Sequence, residues 1–300
     1  MGYALLFSGQ GAQHRHMLSW VRRDRQVEQV EHLLGADWRD RLDDPVWAGN
    51  NRHAQVLITG LAMAAFEQLV AEAGPPAVVA GYSVGELAAF CAAGVLDPDT
   101  VLALAVQRAA CMDAAHAHLD TGLMGVSSAR LGGLRGLCEA FDLDLAIRLG
   151  PESGVVGGPN GALVEAAACA EVQGMRVTRL NVALASHTRW MQQASVDFRS
   201  VLATHSLTNP RIPVISNAMG QIRDAAQALD ALASQLSATV RWDECLDHIE
   251  SRRVDAVLEL GPGQALARMW SERFPDIPAR SVDEFRSLPA LVDWLTARLP

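Results

Sequence analysis

The 300-residue sequence contains no lysine, and its 25 basic residues are all arginine. That absence removes whole classes of chemistry. A phosphate-loop NTPase, a protein kinase and a Schiff-base enzyme each depend on a lysine amine, and none can be built from this chain. No C-x-x-C pair occurs among Cys91, Cys111, Cys138, Cys169 and Cys245, which are odd in number and widely spaced. Thiols scattered through apolar, helix-like surroundings read as buried side chains of a reduced, cytoplasmic protein, not as a disulfide framework. The start, Met-Gly-Tyr-Ala-Leu-Leu, has neither a basic n-region nor a long apolar h-region, so no signal peptide is expected. No apolar run approaches the roughly 20 residues of a membrane span. Blocks of like charge are also missing. The net charge of -9 is spread along the chain, which argues against nucleic acid or an anionic membrane as the main partner.

What is present is a large apolar fraction. Half the residues are hydrophobic and 20% are charged, enough for a sizeable core and about two domains. Residues 3–7 (YALLF) read as a buried strand, ended by the glycine-rich turn 8–13 (SGQGAQ). A long helix is expected over 54–74, closed by glycine and Pro75-Pro76, and 77–81 (AVVAG) reads as a strand of the buried parallel kind. Helices over 85–94 and 99–117 follow, with Asp97 capping the second. Between about 122 and 186 the order becomes strand (122–128), helix (130–141), strand (143–149), strand (153–158), helix (161–174), strand (175–184). That is the order of a ferredoxin-like domain. Residues 213–217 and 254–260 supply further strands of the main unit. The expected architecture is a parallel-sheet, hydrolase-like α/β domain (1–121 and 188–300) interrupted by a ferredoxin-like insertion (122–187).

The sharpest local signal is 81–85, Gly-Tyr-Ser-Val-Gly, between a strand and a helix. G-x-S-x-G in that context is a nucleophile elbow: a tight turn strains the serine backbone, exposes its hydroxyl, and leaves no room for side chains at the glycines. Ser83 would then stand at a helix N-terminus, where the N–H of Val84 can stabilise an oxyanion. The pentapeptide also arises by chance, and a merely tight strand–helix turn is the plain alternative. A serine nucleophile needs a base. His14/His16 and His116/His118 sit in polar, helix-like surroundings and read as solvated, with no metal site expected there. His32, His53, His205 and His248 lack a supporting pattern. His187 follows a buried run in Ala-Ser-His-Thr-Arg-Trp-Met and is the best-placed candidate.

Seven segments in order carry a resemblance: 7–13 (FSGQGAQ), 54–55 (AQ), 81–86 (GYSVGE), 107–112 (QRAACM), 186–191 (SHTRWM), 235–242 (QLSATVRW) and 259–266 (ELGPGQAL). Across essentially the whole chain the sequence resembles the malonyl-CoA:acyl-carrier-protein transacylases, which are also the acyltransferase domains of fatty-acid and polyketide synthases. The run 81–90 most resembles the transacylase (epsilon) subunit of malonate decarboxylases. The resemblance implies that Ser83 is acylated and that His187 is general base and acid. It implies that the main-chain carbonyl of Gln235, not a carboxylate, orients the imidazole. Gln10 would join Val84 in the oxyanion hole, Arg108 would hold the malonyl carboxylate, and Gln55 would line the pocket. An exposed helix arginine and an ordinary polar neighbour are the plain alternatives for Arg108 and Gln55. The implied partners are malonyl-CoA, an acyl carrier protein and malonate decarboxylase subunits, with no metal or redox cofactor.

Three positions depart from the family's pattern. Tyr82 stands where histidine is usual, and Ser8 and Thr239 stand where prolines are usual. Ala185-Ser186-His187 is similar to the ending of methylmalonyl-type domains, but stand-alone malonyl enzymes also place serine there, and malonyl is the expected substrate. The rival enzyme class is an α/β-hydrolase esterase or thioesterase, with Asp144 or Asp243 and His248 completing a triad. A patatin-like dyad finds no Asp-Gly dipeptide here. A non-catalytic scaffold built on a decayed transferase fold would not be expected to keep Ser83, His187 and Arg108.

Overall fold

The computed structural model describes residues 2–180 and 182–299. Strand β1 (Tyr3–Phe7) runs through the middle of a six-stranded sheet. It is flanked by β2 (Val78–Gly81) on one side and by β10 (Ala256–Leu260) on the other, both parallel to it. Strand β11 (Ala279–Ser281) extends the sheet beyond β10, while β7 (Val214–Ser216) and β8 (Gly220–Ile222) extend it beyond β2. All pairs are parallel except β7–β8. All five residues of β1 are buried, because alternate side chains enter different cores. Leu5 and Phe7 join the cluster built with helices on one face, and Ala4 and Leu6 join the cluster on the other.

The helix Asn51–Ala73 is 23 residues long and apolar enough to meet the length and composition of a membrane span, which the sequence reading excluded. Here it is a core helix, with 72% of its most apolar window buried against neighbouring helices. Its apolar residues lie all round because its neighbours do: Gly60 is so close to the helix Arg25–Leu34 that a Cβ would sit 2.2 Å from Val30.

The second sheet has the order β6 (Arg176–Arg179), β3 (Thr121–Ser127), β5 (Ser153–Pro159), β4 (Asp144–Gly150), then β9 (Val240–Arg241). Its first four strands are antiparallel, and the helices Gly133–Phe141 and Asn160–Val172 complete the ferredoxin-like βαββαβ order. Period-two alternation again divides the cores. Met124 and Val156 pack with those two helices, whereas Leu123 and Val155 face the larger unit. The fifth strand, β9, comes from outside 122–187 and pairs parallel with β4. The last insertion strand is shorter than expected: it ends at Arg179, residues 182–186 are irregular, and Asn181 lies outside the described residues.

Candidate active site

The turn 8–13 after β1, the elbow after β2 and the residues after β7 meet at the C-terminal edge of the larger sheet, where open α/β sheets hold their ligands. Ser83 adopts φ 56°, in the left-handed region. Its two flanking glycines are sterically required. A Cβ on Gly81 would lie 2.1 Å from the carbonyl carbon of Gly85, and one on Gly85 would lie 2.3 Å from the carbonyl oxygen of Phe7. The helix Gly85–Ala92 starts immediately, and the turn spends the N–H groups of Gly85 and Glu86 on the carbonyls of Tyr82 and Ser83. The N–H of Val84 therefore stays outside the helical ladder.

Ser83 Oγ lies 2.8 Å from His187 Nε2, and His187 Nδ1 lies 2.5 Å from the carbonyl oxygen of Gln235. A carbonyl only accepts, so Nδ1 carries the proton and Nε2 is left to accept from the serine. His187 also has a left-handed backbone, φ 64°, fixed by its N–H donating to the carbonyl of Leu236 at 2.8 Å. Burial lowers the imidazole's pKa to about 4. The Gln235 carbonyl opposes that shift and the charge of Arg108 adds to it. The ring is neutral at pH 7, the state a base requires.

Arg108 projects from the helix Pro98–His116 and is 1% exposed. Its Nη1 donates to Gln55 Oε1 at 2.8 Å and to Met112 Sδ at 3.2 Å, and its Nη2 donates to Gln235 Oε1 at 3.3 Å. Its Nε has no partner among the described residues. Burial lowers its pKa to about 10, so it remains a cation. Behind it, Gln55 Nε2 donates to Asn51 at 2.8 Å, and Asn51 donates to Asp113 at 2.8 Å. The side chains that Arg108 itself touches are amides and a thioether, and the buried Glu86 acts on it only through space. A buried cation held only by neutral groups favours an anion arriving from outside.

Ser83, His187, Gln235, Arg108 and Gln55 thus form one continuous hydrogen-bonded chain. Gln10 is half-buried in the neighbouring turn. That turn presses on the elbow: a Cβ on Gly9 would lie 2.9 Å from the carbonyl oxygen of Tyr82. A groove of about 230 Å³ opens beside it, lined by Gln10, Asn51, Asp113 and Leu184 among others. The hydrolase alternative is not assembled. Asp144 accepts the N–H of Arg189 at 2.7 Å, Asp243 holds Arg148 Nε at 2.8 Å, and His248 lies beside Gly220. His14, read as solvated, contacts Asp283 at 2.7 Å.

The three departures each have a local explanation. Tyr82 packs edge-on against Trp242, with ring centroids 5.1 Å apart, and burial pushes its phenol pKa up. Ser8 donates to buried Glu259 at 2.9 Å, whose other oxygen accepts the N–H of Ala267 near a helix start. Thr239 donates to the carbonyl of Leu145 at 2.7 Å, tying β9 to the insertion.

Two residues at the site were not singled out from the sequence. Asn217, just after β7, accepts the N–H of Ser83 at 2.9 Å and donates to the carbonyl of Gly81 at 2.6 Å. Its own N–H donates to Glu86 Oε1 at 2.5 Å. Glu86 is fully buried, and that burial raises its pKa to about 8 against the opposing pull of Asn217, Ser216 and Arg108. The available signals were a polar residue ending a short apolar strand and an acid directly after the elbow.

The acyl transferase domain model matches residues 45–291. A malonyl CoA-acyl carrier protein transacylase of Mycobacterium bovis is 32% identical over 305 aligned residues, covering 97% of this chain and 99% of that protein. The malonyl-CoA:acyl carrier protein transacylase of Helicobacter pylori superposes with a TM-score of 0.90 at 27% identity, covering 100% of both chains. A malonyl-transacylase solved in complex with a type II PKS acyl-carrier protein superposes with a TM-score of 0.88 at 25% identity, covering 98% of this chain and 99% of that one. With full-length agreement in sequence and fold behind the Ser83–His187 pair, the chain belongs to the acyl transferase domain family, that of the malonyl-CoA:acyl-carrier-protein transacylases.

Proposed function

We propose that this protein moves a malonyl group from malonyl-CoA to the phosphopantetheine thiol of an acyl carrier protein, by ping-pong transfer through a Ser83 ester. The single observation that carries the reading is the continuous chain from Ser83 through His187 and Gln235 to the buried Arg108. Ser83 Oγ attacks the thioester carbonyl as its proton passes to His187 Nε2. The tetrahedral adduct then expels the CoA thiolate, which recovers that proton. The carrier thiol repeats the sequence in reverse, giving its proton to His187 and releasing Ser83. The N–H groups of Gln10 and Val84 hold the developing oxyanion. Arg108, with Gln55 beside it, pairs with the free carboxylate in a planar, bidentate way.

The same reading divides the chain into a main unit, 1–121 with 188–300, and an insertion, 122–187, with the cleft between them. It places the enzyme in the cytoplasm, where malonyl-CoA and carrier protein meet. It needs no metal or redox cofactor. The match to a malonyl CoA-acyl carrier protein transacylase over nearly all of both chains favours the transacylase reading, of the fatty-acid-synthesis kind, over the malonate decarboxylase one. Placement as the transacylase subunit of a malonate decarboxylase rests on the run 81–90 alone.

The test is intact-mass measurement after mixing with malonyl-CoA. One added malonyl group is expected on the wild type and none on Ser83→Ala. Labelling that persists in the variant, or that maps to a cysteine, refutes the proposal.

A further inference from the structure

Gln235 has two working ends. Its main-chain carbonyl holds His187 Nδ1, while its side-chain Oε1 accepts from Arg108 Nη2 at 3.3 Å. Chemistry fixes which way this amide points. A guanidinium has no acceptor, so the amide must turn its oxygen toward Arg108 and its nitrogen away. Among the described residues that nitrogen has no partner, although the residue is 0% exposed, and Arg108 Nε is also unpartnered. Two orphaned donors on two bonded neighbours, both fully enclosed, are unusual in a native interior, where such groups find partners. They match an acceptor supplied from outside.

We propose that the Gln235 side chain is a specificity-determining group: it steadies Arg108 before the acyl group arrives, and then donates through Nε2 to the acyl carboxylate that pairs with Arg108. Recognition of the acid and orientation of the base therefore run through opposite ends of one residue. The inference rests on the malonyl-transfer reading. It goes beyond that reading in assigning the side chain of a residue otherwise used only through its main chain.

Substitution separates the two ends, because Gln235→Ala keeps the carbonyl and deletes the amide. Transfer to carrier protein is measured as kcat/KM with malonyl-CoA and with acetyl-CoA, and Ser83 is labelled separately with a fluorophosphonate, which needs the dyad but no carboxylate. For Gln235→Ala the malonyl-to-acetyl preference should fall about tenfold or more, the range of a hydrogen bond to a charged group. Gln235→Glu should lower it further, since a resident carboxylate competes for Arg108. Fluorophosphonate labelling of Gln235→Ala should stay at least about tenfold faster than that of His187→Ala. Equal loss with both thioesters, or labelling that falls to the His187→Ala rate, overturns the proposal. If the wild type labels at Ser83 but takes no malonyl from CoA, the transfer reading fails by itself. Protection against labelling by free malonate then decides the inference. Malonate should protect the wild type about tenfold better than Gln235→Ala, and equal protection refutes it.

Discussion

Replacing Glu86 by glutamine should change the pH dependence of stability more than the activity. Glu86 is fully buried; Oε1 accepts the N–H of Asn217, and Oε2 has no partner among the described residues. Burial raises its pKa from 4.5 to about 8. A carboxyl whose folded-state pKa lies above its unfolded value binds more protons when folded. Its contribution is therefore complete below the unfolded pKa and is lost as pH rises toward the folded one. Each unit is worth about 1.4 kcal/mol, so the loss is about 3 kcal/mol by pH 7 and approaches about 5 kcal/mol above pH 8. Glutamine keeps the acceptor for Asn217 and does not titrate. Any fixed cost of the new amide is the same at every pH. His187 titrates in the opposite sense, losing stability as pH falls from its ordinary 6.5 toward 4, but it does so in both proteins and cancels in the difference. Urea unfolding of wild type and Glu86→Gln from about pH 5 to about pH 8 reads this directly. The variant should gain relative stability by about 3 kcal/mol across that window. Parallel stability curves would show that Glu86 is ionised when folded, and the argument from burial would fail.

Arg108→Ala should depress malonyl transfer and leave acetyl transfer unchanged or improved. Losing one partner of a buried pair is worth roughly 3–5 kcal/mol, so the kcat/KM ratio should fall at least about a hundredfold; equal losses with both thioesters would make Arg108 structural. His187→Ala should cost transfer about a hundredfold or more, as removing a general base does, whereas His248→Ala should have little effect. The reverse pattern in the same assay would revive the hydrolase alternative. Asn217→Ala leaves the N–H of Ser83 and the carbonyl of Gly81 without their partner. It should lower stability by about 2–4 kcal/mol in denaturant titration and slow Ser83 acylation; full retention of both would remove Asn217 from the site.

The sequence was most legible where steric necessity leaves a residue-level trace. Gly81 and Gly85 announce the elbow because no other residue fits there, and the alternating insertion order 122–179 emerges as a ferredoxin-like sheet because its strands and helices differ in period. The central helix was harder to classify. Its apolar residues lie on all sides, a pattern shared by a core helix and a membrane span, and only packing distinguishes them. Strands β8, β9 and β11 span two or three residues, too few for any periodicity to register. Asn217 was missed for another reason: 213–217 read as a strand, but nothing local says that the side chain ending it reaches Ser83, 134 residues away.

The arrangement also explains why a carbonyl, not a carboxylate, stands behind the imidazole. In a Ser–His–Asp triad the acid fixes the histidine tautomer and stabilises the imidazolium. Here the group behind His187 belongs to Gln235, whose side chain already touches Arg108. An ionised acid at that place would lie within reach of the guanidinium, and the two would pair. Arg108 would then have its countercharge before the substrate arrived, and the substrate's carboxylate would be repelled by the resident one. A neutral carbonyl holds the Nδ1 proton equally well and leaves the cation unpaired. The cost is a weaker base, because the neutral carbonyl offsets only part of the fall in pKa that burial imposes on His187. Thioester chemistry tolerates that cost, because a thiolate leaves more readily than an amine and needs less help from the protonated imidazole. On the malonyl-transfer reading, selectivity for an acid-bearing acyl group and the absence of a triad carboxylate are one design constraint met by one residue.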